Sequence, residues 1–269
     1  GRKSKAQALL TDIDPTTLHA LWDELGDEYF LKHKKLDIAW QSRVILEQKS
    51  AIQDARPIIA IRSHTDLALD AIQLFICTPD RDDLFAISVC VLDRFGLSVL
   101  DATIVSATID GVPSALDSYV LIDRFATRDE HGTLMSDFLT PSDRRDELVS
   151  KLSQALTGDA PKCQIASASF GFNLTLKHFN VPTQVHIERA TPFAHQGHHA
   201  LSLITKDRPA LLAKIGQVFS KLGVAVHGAR ITTLGERAED IFYLSDKDGS
   251  LLDDDKIESL KVALIEILQ

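Results

Sequence analysis

The fold is decided by a segment that the chain contains twice, as LFICTPDRDDLFAISVCVLDRFGLSVLDATI over Leu74–Ile104 and as LSLITKDRPALLAKIGQVFSKLGVAVHGARI over Leu201–Ile231. The two copies align without a gap, and eleven of the aligned positions are identical. A shorter match follows in each copy, where Asp117–Asp123 aligns with Asp240–Asp246. Two copies at this spacing indicate two similar domains rather than a repeat array, which needs roughly three or more units.

Each copy has the same order of predicted elements. A short apolar strand ends in an Asp-Arg turn, and apolar residues then recur at helical spacing, as in Leu211, Ile215, Val218 and Leu222. A glycine ends each helix, and the next residues alternate with the two-residue period of a half-buried strand. Another strand and a second helix complete a β-α-β-β-α unit in each copy.

One more strand per unit would complete the ferredoxin-like βαββαβ fold, in which helices cover one face of an antiparallel sheet. Thr183–Arg189 is the candidate last strand of the first copy, and Pro57–Ser63 is a spare strand upstream of both copies. We expect the repeats to share these strands, so that Pro57–Ser63 completes the second sheet. The sequence thus predicts an α+β protein with a helical segment over 1–55, a first domain over 56–190 and a second over 191–269.

The segment over 1–55 has the signals of two helices. Asp14-Pro15 is a helix start, because proline is favoured at the first helical position, and Gly26 is the predicted stop. A second helix is expected from about Asp27 to Gln53. A segment of this size cannot bury a core of its own, so we expect it to pack on a neighbour outside the chain or against the repeats.

Composition and charge narrow the class of partner. Hydrophobic residues make up 45% and charged residues 25% of the 269, and the formal net charge is −9, which argues against nucleic acid and anionic membranes as partners. No apolar run approaches the roughly 20 residues of a membrane span. The N-terminus is polar, and the three cysteines, Cys77, Cys90 and Cys163, have no CxxC spacing. We expect the cysteines to be reduced thiols and the protein to be cytoplasmic.

The strand, Asp-Arg-x-x-Leu turn, helix, glycine and strand of each copy resemble the ACT domain. The chain is similar to the bifunctional PII uridylyltransferase/uridylyl-removing enzymes in three features. These are the tandem copies, the segment YFLKH over Tyr29–His33 and the run GARITTLGERAED over Gly228–Asp240. The resemblance covers nearly the whole chain and implies the C-terminal, glutamine-sensing region of such an enzyme. It implies glutamine, the catalytic domains of the same parent chain and, through the parent, the PII protein as partners, and it allows a homodimer.

Catalytic motifs of that family are missing from the chain. None of the ten histidines is followed by aspartate, and Gly249-Ser250 lies too close to Asp253–Asp255 for a nucleotidyltransferase metal site. We expect the fragment to have no catalytic residue, metal ligand set or cofactor, and not to be an enzyme. The resemblance implies that the whole parent needs Mg or a similar divalent metal.

The turn after the first strand of each copy is the predicted ligand site. A helix start offers free backbone N–H groups to a carboxylate, and the aspartate is suited to receive an ammonium group. The predicted ligand-binding residues are Asp80, Arg81, Asp82, Asp83, Leu84 and Ile104 in the first copy, and Asp207, Arg208, Pro209, Ala210, Leu211, Ile231, Thr232 and Thr233 in the second.

Two features of these turns leave alternatives open. Asp80 and Asp207 are also suited to be helix N-caps, which stabilise a helix by ~1 kcal/mol without any ligand. The ACT ligand loop commonly has glycine before the leucine, whereas this chain has Asp83 and Ala210. Since Asp83 adds a negative charge, we favour the second site.

Two other functions compete with sensing. The alternative function is a non-ligand-binding ACT module for assembly or dimerisation. A free-standing metal-dependent phosphohydrolase is a third hypothesis, for which no motif has the required spacing.

Overall fold

The computed structural model describes residues 1–66, 70–158, 181–189, 197–208 and 210–269. Its helices are α1 (Arg2–Gln7), α2 (Pro15–Lys32), α3 (Lys35–Glu47), α4 (Lys49–Gln53), α5 (Leu84–Arg94), α6 (Asp143–Thr157), α7 (Leu211–Leu222) and α8 (Asp254–Leu268). Its strands are β1 (Ile58–Ser63), β2 (Ile72–Pro79), β3 (Leu97–Ile109), β4 (Val112–Asp123), β5 (Thr127–Arg128), β6 (Leu134–Met135), β7 (Gln184–Glu188), β8 (His199–Lys206), β9 (Val224–Leu234) and β10 (Arg237–Asp246). Helices combined with antiparallel strands make this an α+β protein, as predicted.

The chain divides into two compact units. The first unit comprises Gly1–Arg81, Gly96–Ser98 and Ala102–Asp159. The second comprises Asp82–Phe95, Val99–Asp101 and Ala160–Gln269.

Strands of the first unit lie in the order β1-β2-β4-β3. The edge strand β1 is antiparallel to β2, with Ile58 opposite Cys77. Strand β2 is in turn antiparallel to β4, with Ile76 opposite Asp117. The first strand of the repeat is therefore central, with a partner on each side.

Strands of the second unit follow the same plan, in the order β7-β8-β10-β9. The edge strand β7 is antiparallel to β8, with Ile187 opposite Leu201. Strand β10 lies between β8 and β9, so that Asp240 has Leu203 on one side and Ile231 on the other. The repeated sequence thus gives a repeated strand order.

The expected sharing of strands was wrong. Pro57–Ser63 was assigned to the second sheet, but β1 pairs with β2 of the first copy. Thr183–Arg189 was assigned to the first copy, but β7 pairs with β8 of the second. Each edge strand pairs with the strand that follows it closely in sequence, because closing a short connection costs less entropy than closing a long one.

The helical segment packs against the sheet of the first unit, as one of the two alternatives predicted. Buried side chains of α2 and α3 form one core with Phe75 and Leu116 of the sheet. Polar contacts cross this core: Tyr29 Oη donates to Gln41 Oε1 at 2.8 Å, and Gln41 Nε2 donates to Ser118 Oγ at 2.9 Å. His33 Nε2 lies 3.2 Å from the same Ser118 Oγ.

Helix limits in this segment differ from the prediction at one glycine. The Asp14 side chain caps α2 as expected, accepting the Thr17 N–H at 3.0 Å. Gly26, however, kinks α2 with φ 78° instead of ending it. The long second helix predicted over 27–53 is divided among α2, α3 and α4. Glycine takes this positive φ without a Cβ clash, so the chain turns and the helix resumes.

Helices α5 and α7 approach closely within the second unit. A Cβ built on Gly216 would lie 3.1 Å from Ala86 Cα and 3.4 Å from Val89 Cγ2. The Phe219 and Phe242 rings meet edge to face at 5.2 Å, which packs α7 on the sheet. Glycine at position 216 therefore allows the two helix backbones to come together.

Cysteines were expected to be reduced. Cys77 is a buried free thiol. Cys90 is disulfide-bonded, so the expectation was wrong for this residue. Cys163 lies outside the described residues.

Candidate functional site

The corner between β8 and α7 carries most of the predicted second site. The Asp207 N–H donates to the Glu236 carbonyl at 2.7 Å, which ties the corner to the β9-β10 hairpin. Arg208 Nη2 donates to the Leu268 carbonyl at 2.7 Å, at the end of α8. A guanidinium there is favourable, since a helix C-terminus carries partial negative charge. Pro209 lies outside the described residues.

The equivalent residues of the first unit make the same contacts. The Asp80 N–H donates to the Pro113 carbonyl at 2.9 Å. Arg81 Nη1 donates to the Gly158 carbonyl at 2.8 Å, just after the end of α6. Both arginines therefore anchor the corner to the last helix of their unit, a role that the sequence did not predict.

Neither turn aspartate caps its helix, so the N-cap interpretation of Asp80 and Asp207 was wrong. The N-cap positions of α5 and α7 are Asp83 and Ala210, and neither makes a side-chain capping bond. Asp80 and Asp207 are exposed instead. Their carboxylates remain accessible from solvent at the mouth of each corner.

The residue before each leucine has a left-handed backbone. Asp83 has φ 70° and Ala210 has φ 59°, a region that strongly favours glycine. The glycine that ACT loops commonly have at this position would fit this conformation without strain. The chain retains the loop shape at a cost in backbone energy, which is greater for alanine than for aspartate.

The other predicted site residues have varied positions. Leu84 and Leu211 are buried at the helix starts. Ile231 is half-buried on β9 opposite Asp240, and Thr232 and Thr233 follow it with exposed side chains.

The remaining two predicted residues, both from the first copy, make contacts elsewhere. Asp82 forms an exposed ion pair with Lys247 at 2.8 Å within the second unit. Ile104 is half-buried, and its carbonyl accepts a bond of 3.5 Å from Lys32 Nζ.

Two buried aspartates next to the corners were not predicted as site residues. Asp240 on β10 is 2% exposed and Asp117 on β4 is fully buried. Among the described residues, neither carboxylate has a partner with hydrogen-bond geometry. A signal was present in the sequence, because the two aligned aspartates share one face of their strand with apolar residues such as Leu121 and Phe242.

Burial dominates the electrostatics of these aspartates. Desolvation, followed by the charge of Asp207, raises the pKa of Asp240 to about 7, and the Thr232 backbone amide offsets this only in part. In the same way, desolvation and Asp80 raise the pKa of Asp117 to about 7 against the opposing effect of Tyr119. Each corner thus has a pair of acids, one exposed and one buried.

Metal binding has no candidate centre in the part of the chain that the structure describes. No group of three or more His, Cys, Asp or Glu side chains is placed to hold an ion there. The same part of the chain contains no helix with the length and apolar character needed to cross a membrane.

Comparisons with known proteins agree with the resemblance in the sequence. A family described as Uridylyltransferase GlnD fifth domain matches residues 1–44. The bifunctional uridylyltransferase/uridylyl-removing enzyme of Psychrobacter sp. strain PRwf-1 is 44% identical over 276 residues, which cover 99% of this chain and 28% of that protein. The enzyme of the same description from Acinetobacter baylyi is 36% identical over 273 residues, covering 98% of this chain and 28% of that protein.

A solved structure, the trimeric bacterial microcompartment shell protein PduB, is similar over 79% of this chain and 86% of its own, at 11% identity and a TM-score of 0.23. At that TM-score we draw no conclusion from it.

The two units with their repeated polar corner are thus a region of a uridylyltransferase, and the chain spans 28% of the length of the relatives quoted. It belongs to the family of bifunctional uridylyltransferase/uridylyl-removing enzymes, as its sequence predicted.

Proposed function

We propose that the chain is a regulatory region that binds glutamine through two ACT-type, ferredoxin-like domains, one built on each repeat. The observation that carries the proposal is the repeated corner. In both repeats a strand is followed by Asp-Arg, the residue before the next helix is left-handed, and a buried aspartate lies on the strand next to the first one. A role in packing alone does not require an exposed and a buried acid together at both corners, since a buried acid without a partner is costly.

The strand order supports the ferredoxin-like assignment. In the βαββαβ fold the first strand lies between the third and fourth, and the second strand is at the edge. Both units have this order, with the fourth position filled by the strand that precedes the repeat, β1 or β7. We therefore propose that the strands of each unit follow a permuted version of this strand order.

The regulatory role rests on the relatives. Their names include uridylyl transfer and uridylyl removal, and we found no motif for either reaction in this sequence. We propose that glutamine bound here shifts the balance between those activities in catalytic domains of the same parent, which act on PII in the cytoplasm. Such coupling requires that glutamine bind two states of the parent with different affinity.

Calorimetric titration tests the proposal. Glutamine is expected to release or absorb measurable heat at micromolar to millimolar concentration, while glutamate and alanine bind at least about tenfold more weakly, because one mismatched polar group costs about 1–3 kcal/mol. Absence of heat with glutamine would contradict a site in this chain. If light scattering at several protein concentrations then shows an oligomer whose mass does not change with glutamine, the assembly module is favoured.

A further inference from the structure

We propose that the carboxylate of Asp240 is the group that receives the ammonium of the amino-acid ligand in the second repeat. This inference rests on the proposed function and assigns a ligand-binding residue that lies outside the predicted turn. Asp207 would then be the solvent-exposed acid of the same corner, and Asp240 would be its buried acid.

The surroundings of Asp240 give the first argument. The side chain is 2% exposed, and neither of its oxygens has a hydrogen-bond partner among the described residues. On the same face of β10 its neighbours are Ala238 and Phe242, both buried and apolar. A polar group in such a place is costly unless something supplies the missing bond. A bound ligand with a hydrogen-bond donor would do so.

The position of Asp240 gives the second argument. Asp207 is close enough to raise the pKa of Asp240, and the Thr232 backbone N–H is close enough to lower it, although that N–H does not reach either oxygen with hydrogen-bond geometry. The unpartnered carboxylate therefore lies next to the corner and not elsewhere in the core. The proposal requires the charged end of a ligand at the corner to pass beneath the turn to reach Asp240.

The chemistry of two acids selects the charged end of the ligand. An ionised carboxylate only accepts hydrogen bonds, so Asp207 and Asp240 together repel a carboxylate and attract a donor with positive charge. A metal ion is disfavoured, since no group of three or more candidate ligands exists among the described residues. An ammonium needs fewer partners and makes short, charge-assisted bonds. The α-ammonium of an amino acid fits these requirements.

The experiment compares glutamine with glutaramate, which has the same amide and carboxylate but no amino group. Wild-type chain is expected to bind glutamine about 10–100-fold more tightly than glutaramate, the range for a hydrogen bond to a charged group. Asp240→Asn keeps the size of the side chain but removes its charge. It should weaken glutamine binding by about the same factor and leave glutaramate binding within about threefold.

Asp117→Asn is the matched control, because it removes the equivalent buried acid in the first unit. We expect it to retain the preference for glutamine, since the second repeat is the proposed site. Circular dichroism at the pH of the binding assay checks that both variants are folded.

Each outcome decides a different question. Wild-type chain that binds no glutamine contradicts the proposed function and, with it, this inference. Wild-type binding that Asp240→Asn leaves unchanged contradicts the inference alone. Equal loss of glutamine and glutaramate binding in a folded variant also contradicts it, because Asp240 would then shape the site without contacting the ammonium. Loss in Asp117→Asn instead overturns the assignment to the second repeat.

Discussion

Replacement of Asp240 by asparagine should stabilise the protein, and more so as the pH rises. The ionised carboxylate is buried without a hydrogen-bond partner, so folding favours its protonated form and raises its pKa to about 7 from an ordinary value of 3.8. Between these two values the folded state binds more protons than the unfolded state, so the free energy of unfolding falls as the pH increases. Asparagine has no such dependence.

The size of the effect follows from the two pKa values. One unit of difference corresponds to about 1.4 kcal/mol, so ionised Asp240 costs the folded state roughly 4 kcal/mol above pH 7. At pH 5 the cost is roughly 1–2 kcal/mol, because the unfolded state must take up a proton on folding. The advantage of Asp240→Asn over wild type should therefore grow by about 2–3 kcal/mol between pH 5 and pH 8.

Urea unfolding followed by far-ultraviolet circular dichroism at pH 5, 6, 7 and 8 measures this difference. Other titrating groups, including His33, are present in both proteins and cancel in the comparison. Asp117→Asn is the control in the first unit. That unit contains both tryptophans, Trp22 and Trp40, so the unfolding of the first unit can be followed by fluorescence. An advantage that is equal at pH 5 and pH 8 would refute the reasoning, since it would show that Asp240 does not ionise at a cost.

Three further predictions concern stability. Ala210→Gly should raise the free energy of unfolding by about 0.5–1 kcal/mol, because Ala210 has φ 59° at the start of α7. Ala213→Gly inside α7 should instead lower the free energy of unfolding by about 1 kcal/mol or more, and urea midpoints distinguish the two variants. Gly216→Val should lower the free energy of unfolding by about 1–3 kcal/mol, since its Cβ would press on the Ala86 backbone, while a midpoint equal to wild type would contradict the close approach of the helices. Burial lowers the pKa of His33, so the folded state resists its protonation and loses stability as the pH falls below about 6.5. His33→Gln should reduce this loss in urea titrations at acid pH, and an unchanged loss would contradict the role of His33.

Local patterns predicted the repeats and most of the helix and strand types well. Helix α7 shows why: its apolar residues have clear helical spacing and Gly223 ends it with φ 65°, both readable from neighbouring letters. Strand partners depend on residues far apart in sequence. The apolar pattern of Ile58–Ser63 says that this strand is half-buried but not which sheet contains it.

The candidate site has the same dependence. Asp207 and Arg208 could be proposed from the sequence because a strand, a polar turn and a helix follow each other in the chain. Asp240 could not be proposed in the same way, because an acid in an alternating strand is ordinarily expected on its exposed face, and its strand neighbours on β8 and β9 are distant in sequence. The helix-terminal contact of Arg208 likewise joins residues at opposite ends of the second repeat.

A crystal structure of the chain grown with glutamine tests the central claim most directly. The account predicts glutamine at the corner formed by Asp207 and Leu211, with its ammonium nitrogen about 2.7–3.1 Å from a carboxylate oxygen of Asp240. Glutamine bound elsewhere on the chain, or at this corner with its carboxylate directed at Asp240, would contradict it.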